Sequence, residues 1–504
     1  MSSIILCGVA AALLGSAPAA GKEADRQAAL EAQAFTAIKA AGGIVTPDPE
    51  QPDSLSVQEG WNGRFGDREM ACLPRIRRIT ALRVWPGEKM SDAGLAHLAA
   101  LTDLKRLWLT GPKLDGSALK YLKGLKRLEQ LGLDWTQVDD ASLANLSGLS
   151  RLARLGLQGC PIGDAGLAHL SPLKSLWQLS LTDCAVTDAG LAHLSQLKSL
   201  RFLDLTGTRV SDAGMPSLAG LTELRDLRLG KGVTDAGLAP LKGLTKLASI
   251  SVPSGVGDRG LAALRGMVRL MRIDHPSGVT DEGVKYIAGM TQLEELELGH
   301  SGVTEAGLAG LTPLTKLRYL GLGNLPIGDA ALRDLEGFKE LGGLDLSRTQ
   351  VTDAGMSRLR AFRSLAFLFL GDTKITDAGL AEIALMPGLV NLALNGTAVT
   401  DVGIAKLTAL KRLETLSLRK TNSSDKSLKE LIKLDYLEHL DPGEAITDSG
   451  WDEYCAQRAR KSKALRAKGD AGNWAAPIPG GLRRDFATAP EDDGRATPAP
   501  TGVK

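Results

Sequence analysis

A repeat of 24 residues constrains this chain more than any other feature of its sequence. A leucine frame, Leu-x-x-Leu-x-Leu, is followed by Val-Thr-Asp-Ala-Gly-Leu and then by Leu-x-x-Leu, and the unit recurs about fifteen times between Leu104 and Leu437. A degenerate copy at Ile79 precedes them, and three consecutive steps between Leu224 and Leu293 are 23 residues long. A fixed period of this length predicts a solenoid in which every unit has the same fold.

Each copy joins two hydrophobic periods. The alternation Leu203-Asp204-Leu205 places both leucines on one side of a short strand, and the segment that precedes it has apolar residues at 191, 194 and 197, the spacing of a helical turn. One unit cannot fold alone, because roughly seven inward side chains at ~2 kcal/mol each do not offset the ~1–2 kcal/mol per residue that ordering costs. Neighbouring units must bury each other's flanks. We therefore predict an α/β solenoid, a curved horseshoe with a parallel sheet on its concave face and helices on its convex face.

The phrase Val-Thr-Asp-Ala-Gly-Leu resembles the cysteine-containing class of leucine-rich repeats, best known from eukaryotic F-box substrate receptors. It is more similar still to secreted repeat proteins of environmental bacteria that carry near-identical copies. The resemblance covers about residues 79–450 and implies the leucine-rich-repeat fold. It does not imply one activity, because the family is defined by its scaffold. No F-box-like segment is apparent ahead of the repeats, so ubiquitin-ligase adaptor function is not inherited from it.

The sequence divides into five segments. Residues 1–19 read as a signal peptide, and residues 20–78 as a capping helix followed by an extended stretch. Residues 79–446 hold about 15–16 repeats. Residues 447–468 restart the helical phrase and are expected to form a C-terminal capping helix, basic at its end, and residues 469–504 have the composition of a disordered tail.

The signal peptide rests on an apolar run followed by Ala17-Pro18-Ala19, a pattern typical of cleavage sites. No lysine or arginine precedes the run, so a misassigned start codon or a buried N-terminal segment is the alternative. We expect export to the periplasm or the exterior, with a cytoplasmic location as the alternative.

The net charge of +2, with 23% charged residues, argues against a nucleic-acid partner. No other stretch of the sequence is long and apolar enough to cross a bilayer. We expect this protein to be a monomer that binds another protein, whose identity the sequence does not give.

Catalytic motifs are missing from the sequence: it has no Gly-x-Ser-x-Gly, no phosphate-binding glycine loop and no His-Glu-x-x-His. We expect neither enzymatic activity nor a cofactor. The histidines at 97, 169 and 193 share one slot of the repeat and could form a metal ladder, but inheritance of the repeat explains them better. The row of aspartates, such as Asp164 and Asp188, could suggest a calcium ladder, and helix capping explains it better. No metal site is predicted.

Cys160 and Cys184 stand one repeat apart where most copies place threonine. Stacked repeats would bring their Cα atoms to about 5 Å, inside the range of a disulfide, and an exported protein could oxidise them. Parallel side chains in a ladder rarely reach the required torsion. Two buried thiols that replace threonine are the favoured interpretation.

The outward residues of the leucine frame form the candidate binding surface. Aromatic residues and arginine are typical of interface hot spots, and a strand surface has no structural need for phenylalanine at both 367 and 369. Drift on an unselected surface is the alternative. The candidate partner-binding residues are Arg106, Trp108, Arg154, Phe202, Asp204, Asp226, Arg228, Arg272, Glu295, Glu297, Tyr319, Asp345, Phe367 and Phe369.

Three functions are consistent with these features. The leading hypothesis is a non-enzymatic scaffold that binds a protein, or a glycan, through its concave face. The second is a structural or envelope-associated spacer that contacts an anionic surface through the basic C-terminal helix, with Arg458, Arg460, Lys461, Lys463, Arg466 and Lys468 as its cations. The third, which applies if the signal peptide is false, is an intracellular substrate-recognition adaptor resembling the F-box-type repeat proteins.

Overall fold

The leucine frame forms one short strand per repeat. The computed structural model describes residues 21–59, 65–85, 89–112, 114–274 and 277–467. The predicted signal peptide and the predicted tail from residue 469 lie outside the described residues. The strands are β1 Ile44–Asp48, β2 Gln51–Gln58, β3 Ile79–Val84, β4 Arg106–Leu109, β5 Gln130–Gly132, β6 Arg154–Gly156, β7 Gln178–Ser180, β8 Phe202–Asp204, β9 Asp226–Arg228, β10 Ser249–Ser251, β11 Arg272–Asp274, β12 Glu295–Glu297, β13 Tyr319–Gly321, β14 Gly343–Asp345, β15 Phe367–Phe369, β16 Asn391–Ala393, β17 Thr415–Ser417 and β18 His439–Asp441.

Helical turns alternate with these strands. The α-helices are Gly21–Ala40, Asp67–Cys72, Asp92–Ala96, Asp164–Ala168, Asp188–Leu194, Asp235–Leu238, Asp258–Leu264, Asp281–Ile287, Glu305–Leu308, Ala331–Leu335, Asp353–Met356, Asp377–Ile383, Asp401–Lys406, Asp425–Leu431 and Asp448–Ala467. The 3₁₀ segments are Leu73–Arg75, His97–Ala100, Gly116–Leu122, Ala141–Leu146, Asp212–Leu218, Ala239–Gly243, Ala309–Leu311, Ser357–Ala361 and Leu407–Ala409. Among these helices, none is long and apolar enough to pass through a bilayer.

All described strands belong to one sheet. β1 and β2 form an antiparallel hairpin, β2 pairs in parallel with β3, and every later strand pairs in parallel with the strand of the next repeat. The frame leucines Leu203, Leu205 and Leu227 are fully buried, and so are Leu191 and Leu194 on the helical side. The two hydrophobic periods therefore meet in one continuous core. This architecture confirms the predicted α/β leucine-rich-repeat solenoid.

The three 23-residue repeats lack one residue of a turn. In most 24-residue repeats the seventh residue after the first frame leucine has a left-handed backbone, as at Trp135 (φ 60°), Arg348 (φ 58°) and Lys420 (φ 55°). The described residues between Leu224 and Leu293 contain no positive φ. Parallel pairing nevertheless continues without interruption from β9 to β12. The shortening thus removes the left-handed residue after the strand and leaves the sheet intact.

The aspartate of the repeated phrase links neighbouring repeats instead of capping its own helix. Thr187 is the N-cap of Asp188–Leu194, and its hydroxyl accepts a hydrogen bond from the Ala189 N–H at 3.4 Å. The Asp188 carboxylate accepts from the N–H and the hydroxyl of Ser211 in the next repeat, at 2.7 and 2.6 Å. The threonine hydroxyl therefore caps the helix, and the prediction that the aspartate caps its own helix is wrong.

The same contact recurs along the solenoid, and it explains the glycine of Asp-Ala-Gly-Leu. Asp164 binds Thr187, Asp353 binds Thr376, and Asp425 binds Thr447 in this way. A Cβ atom on the glycine of the following repeat would collide with the carboxylate, as at Gly190 above Asp164. The phrase Thr-Asp-Ala-Gly is thus one cross-repeat hydrogen-bonding unit.

The two central cysteines are buried free thiols, as favoured from the sequence. Each Sγ lies 3.1 Å from a carbonyl oxygen of the preceding repeat, that of Leu133 for Cys160 and that of Leu157 for Cys184. Burial raises the pKa of the Cys184 thiol to about 12. Both cysteines therefore act as hydrogen-bond donors in the core.

Candidate functional site

The strands present two rows of side chains on the side of the sheet opposite the leucines. In strands β4 to β17 a central leucine or isoleucine enters the core, while the residues before and after it face outward. Parallel register aligns these positions between repeats, for example Phe202 with Asp226 and Asp204 with Arg228. We call this surface, from β4 to β18, the sheet face. The first row contains the predicted residues Arg106, Arg154, Phe202, Asp226, Arg272, Glu295, Tyr319 and Phe367, and the second contains Trp108, Asp204, Arg228, Glu297, Asp345 and Phe369.

Arg106 belongs to the N-terminal cap. Its guanidinium forms ion pairs with Asp48 and Glu50 of the β1–β2 hairpin, and only 9% of its side chain is exposed. Burial of Asp48 opposes its ionisation, but the hydroxyl of Thr80, the N–H of Glu50 and the Arg106 charge together lower the pKa of Asp48. The prediction that Arg106 lies on an open binding surface is therefore wrong, because a cap that the strand pattern does not reveal covers it.

Arginines stack on tryptophans at the N-terminal end of the sheet face. The Arg83 guanidinium lies 4.9 Å from the centre of the Trp108 ring, and that of Arg154 lies 4.5 Å from the Trp177 ring. The Arg83 and Trp177 contributions were missed from the sequence. Trp177 lies one residue before strand β7, outside the two alternating positions that define the sheet face. It occupies the same position in its repeat as Arg201 does in the next repeat.

The centre of the sheet face is a cluster of paired charges. The Arg228 guanidinium lies 5.3 Å from the Phe202 ring, with 3.6 Å between its Nη1 and a carboxylate oxygen of Asp204 and 3.7 Å between its Nε and Asp226. Burial raises the pKa of Asp226 despite this arginine. One arginine thus contacts an aromatic ring and two carboxylates together.

A second arginine bridges the next strands. Arg272 lies 2.9 Å from Asp274 and 3.1 Å from Glu295. Asp274 was not among the predicted binding residues, although it occupies the second row in β11. The other carboxylates of β8 to β12 that face this surface therefore have cationic partners, whereas Glu297 has no ion pair with any residue that the structure describes.

Glu297 lies above a glycine of the next strand. Its carboxylate accepts hydrogen bonds from the Gly299 N–H at 3.1 Å and the Tyr319 hydroxyl at 3.3 Å. A Cβ atom on Gly321 would collide with this carboxylate. Burial, and then the negative charge of Asp345 on the strand after Gly321, raise the pKa of Glu297 to about 7. A glycine in β13 thus creates the space that holds a half-buried acid.

Aromatic rings border this acid on the C-terminal side. Tyr319 lies above Gly343 and, like Phe367 and Phe369, is half-buried. Phe369 is aligned with Asp345 across the β14–β15 pair, and Leu368 between the two phenylalanines enters the core. Both rings therefore project from the same face as the acids, on a backbone fixed by strand pairing.

The pKa of Glu297 predicts how stability depends on pH. Its ordinary pKa is 4.5, so between pH 4.5 and about 7 the folded protein keeps a proton that the unfolded chain has released. Stability contributed by this site therefore falls as the pH rises through that window. In the Glu297→Gln variant the side chain is neutral throughout. We expect it to be more stable than the parent by about 2 kcal/mol at pH 8 and nearly equal to it at pH 4, measured by urea unfolding.

The control for this measurement is Glu282→Gln, which removes an exposed carboxylate paired with Lys285. Its stability difference from the parent should change by less than about 1 kcal/mol between pH 4 and pH 8, because an exposed ion pair contributes little. A pH-independent difference for Glu297→Gln would contradict the assignment.

The basic C-terminal helix contacts the last repeat. Arg458 donates to the carbonyl oxygens of Leu434 and Asp435, and Lys461 donates to the Ile432 oxygen at 2.6 Å and pairs with Asp435 at 2.7 Å. These cations satisfy carbonyl groups that no further repeat covers. The side chains of Lys463 and Arg466, and the whole of Lys468, lie outside what the structure describes.

In the described part of the chain, no three histidine, cysteine or acidic side chains lie close enough together to hold a metal ion. Most of the aspartate carboxylates that suggested a calcium ladder accept hydrogen bonds from the threonine or serine of the next repeat, as Asp377 does from Thr400.

One repeat of this chain, residues 196–219, matches the family model described as Leucine Rich repeat. Among solved structures, an internalin of Listeria monocytogenes is 21% identical, covering 76% of this chain and 94% of its own, with a TM-score of 0.43. A leucine-rich-repeat protein of Leptospira interrogans is 19% identical, covering 74% and 92%, with a TM-score of 0.49. The leucine-rich-repeat ectodomain of the Arabidopsis thaliana receptor kinase GASSHO1/SCHENGEN3, in complex with CASPARIAN STRIP INTEGRITY FACTOR 2, is 14% identical, covering 74% and 59%, with a TM-score of 0.40. No curated protein matches the chain.

Proposed function

We propose that this protein is an exported, non-enzymatic scaffold that binds another protein through its sheet face. The observation that carries the proposal is the group of half-buried aromatic residues Tyr319, Phe367 and Phe369 on that face. The core leucines of the same strands are already fully buried. These rings therefore add little to the core, and the exposed part of each ring can contact a partner.

Rigid complementarity is the proposed mechanism. Strands β4 to β17 of the face are each paired on both sides by a neighbouring strand, and the aspartate contacts hold the adjoining turns together. Because this surface is already ordered, binding would lose little free energy in fixing it. The contacts with the aromatic residues would therefore contribute almost fully to affinity. The arginine and carboxylate pairs between β8 and β12 would set specificity through charge complementarity.

The spacer alternative receives less support from the contacts. It requires the basic helix Asp448–Ala467 to present its cations to an anionic surface. Two of those cations, Arg458 and Lys461, are occupied by the last repeat.

Export rests on residues 1–19, and the mass of the mature N-terminus of the secreted protein would test it.

The test is affinity capture from the native source with the intact protein and with a Phe367→Ala/Phe369→Ala variant. We expect each specifically captured protein to be recovered at least tenfold less well by the variant, because hot-spot truncations cost about 2 kcal/mol or more each. The matched control is Val268→Ala/Val402→Ala, which removes two apolar side chains that are 61% and 67% exposed outside the sheet face. Equal recovery by both variants would contradict the proposal.

A further inference from the structure

The turns that lead into strands β5 to β11 carry a large excess of positive charge. They are the seven-residue segments 123–129, 147–153, 171–177, 195–201, 219–225, 242–248 and 265–271, and parallel pairing of the strands places them at one edge of the sheet. These segments contain twelve lysines or arginines and two glutamates, and all twelve cations are exposed. We call this surface the basic edge.

The equivalent turns in the second half of the solenoid are nearly balanced in charge. The seven segments that lead into strands β12 to β18, from 288–294 to 432–438, contain eight lysines or arginines and six acids. They occupy the same positions in the repeat, so the fold makes the same demands on them. The structure of the repeat therefore does not explain the excess of cations on the basic edge, which the net charge of +2 for the whole chain conceals.

Contacts within the solenoid engage only part of the basic edge. Three of its lysines donate to a carbonyl oxygen of the next repeat, as Lys126 does to Gly148 at 3.1 Å. Arg127 and Lys246 form ion pairs with acids of the preceding repeat. The arginines of the basic edge that form no ion pair in the described part of the chain are Arg151, Arg201, Arg225, Arg265 and Arg269. The fold leaves these five charges to the solvent.

Exposed hydroxyl groups accompany the cations along the basic edge. In five consecutive turns a serine or threonine lies directly beside a charged residue, as Ser150 lies beside Arg151. Whereas Ser147 donates to a helix carbonyl oxygen at 2.9 Å, these five hydroxyl groups make no hydrogen bond with any residue that the structure describes. They belong to Ser150, Ser175, Ser199, Thr222 and Thr245. Because neighbouring strands lie ~4.8 Å apart, the basic edge is a linear series of cations and hydroxyl groups with that spacing.

A polymer of acidic sugars matches this series. Its carboxylates would pair with the lysines and arginines, and its hydroxyl groups would exchange hydrogen bonds with the serines and threonines. A chain with one carboxylate per sugar carries its charges about one sugar ring apart, a spacing similar to that between the repeats. A DNA duplex is much denser, with one charge per ~1.7 Å.

Two other kinds of anionic partner fit the basic edge less well. Single-stranded nucleic acid is bound through aromatic residues on which its bases stack, but the one aromatic residue of these segments, Trp177, lies under the Arg154 guanidinium. A lipid membrane favours apolar side chains alongside the cations. Exposed large apolar residues occur in these segments only at one end, at Val268 and Met271.

We propose that the basic edge binds an acidic polysaccharide, a chain of sugars that carry carboxylate groups. The five unpaired arginines would contact the carboxylates, and the serines and threonines between them would contact the sugar hydroxyl groups. The site lies on the turns before the strands and not on the sheet face. The inference therefore goes beyond the proposed function, because the protein would bind a polysaccharide and a protein partner through different surfaces.

The test measures binding of decagalacturonate to the full-length protein by calorimetry at physiological salt, with the fully methyl-esterified decamer as the uncharged probe. We expect decagalacturonate to bind, its ester not to bind, and the affinity to fall as salt is added, because exposed ion pairs are screened. In Arg151→Gln/Arg201→Gln/Arg225→Gln the Kd for decagalacturonate should rise about tenfold, because three exposed pairs are lost.

The matched control is Arg363→Gln/Lys411→Gln/Arg412→Gln, which removes the same charge from exposed cations in the equivalent turns of later repeats. Its Kd should stay within about twofold of the parent, because these turns lie more than a Debye length from the basic edge. Circular dichroism confirms that both triple variants are folded. Absence of decagalacturonate binding, equal binding of its ester, or an equal loss in both triple variants would overturn the inference.

Further probes identify the class of polyanion and separate the two surfaces. Tighter binding of an oligothymidylate of equal charge, or of phosphatidylglycerol vesicles, than of decagalacturonate would overturn the assignment to a polysaccharide. The Phe367→Ala/Phe369→Ala variant leaves the basic edge unchanged, so it should bind decagalacturonate as the parent does, whether or not the sheet face captures a protein. Loss of decagalacturonate binding in that variant would place the site on the sheet face and overturn the inference.

Discussion

Arg106→Ala is expected to lower the free energy of unfolding by about 3 kcal/mol, because removing one member of a buried ion pair leaves the other charge buried and unpaired. The charge left behind is Asp48, whose side chain is only 1% exposed. The Thr80 hydroxyl and the Glu50 N–H would still bind it, but no cation would remain beside it. The hairpin β1–β2 should then detach from β3 and expose the first core leucines. Urea unfolding at pH 7 measures the loss.

Two further variants identify the cause. Arg127→Ala removes an exposed ion pair with Asp103, so it should cost less than about 1 kcal/mol. Asp48→Asn/Arg106→Met removes both buried charges and should recover most of the stability lost in Arg106→Ala. If Arg106→Ala matched Arg127→Ala, Asp48 would not depend on this arginine. Partner capture by folded Arg106→Ala protein should equal that of the parent, because the side chain is covered by the cap.

The pH dependence of the same cap follows from Asp48. Its folded pKa is lowered below the ordinary value of 3.8. The stabilisation by its ionised form is therefore fully present above pH 3.8 and is lost as the pH falls through the folded pKa. The parent and Asp48→Asn should accordingly converge in stability at strongly acidic pH, the opposite direction to the effect at Glu297.

The fold could be predicted because the repeat fixes both local structure and packing. Alternation of leucine with polar residues assigns one face of each strand, and a constant period puts every strand in the same register. Arg106 shows where this reasoning fails. Its partner, Asp48, lies 58 residues earlier in a cap with no repeat pattern, so the alternation gives its direction but not its burial.

The alternation also predicted which residues of the candidate site face outward, but it did not predict which of their side chains contact one another. Whether Glu297 contacts its own strand or the next depends on how its side chain leans, which the period of two does not specify. A signal was present in the glycines: Trp108 precedes Gly132 by one repeat, and Glu297 likewise precedes Gly321. A large residue followed one repeat later by glycine indicates a side chain that lies across the next strand.

The cross-repeat aspartate contact is expected to stabilise the solenoid strongly. The Asp353 carboxylate accepts hydrogen bonds from the Thr376 N–H at 2.8 Å, the Thr376 hydroxyl at 2.6 Å and the Gly379 N–H at 2.9 Å. In Asp353→Ala these donors lose a charged acceptor, and Gly379 is buried, so water cannot easily replace it. We expect the free energy of unfolding to fall by about 3 kcal/mol.

The loss should also be local at first, because each repeat of a solenoid is stabilised only by its neighbours. Hydrogen exchange in Asp353→Ala should therefore accelerate most at residues 376–380 and their adjoining repeats, and little near the N-terminal cap. Asp353→Asn keeps one acceptor oxygen but places an amide N–H₂ group against the remaining donors of Thr376 or Gly379. It should therefore recover only part of the stability lost in Asp353→Ala. Asp103→Ala, an exposed aspartate, serves as the control. If Asp103→Ala destabilised the protein as much as Asp353→Ala, or if hydrogen exchange accelerated uniformly along the chain, the cross-repeat aspartate contact would not be what holds neighbouring repeats together.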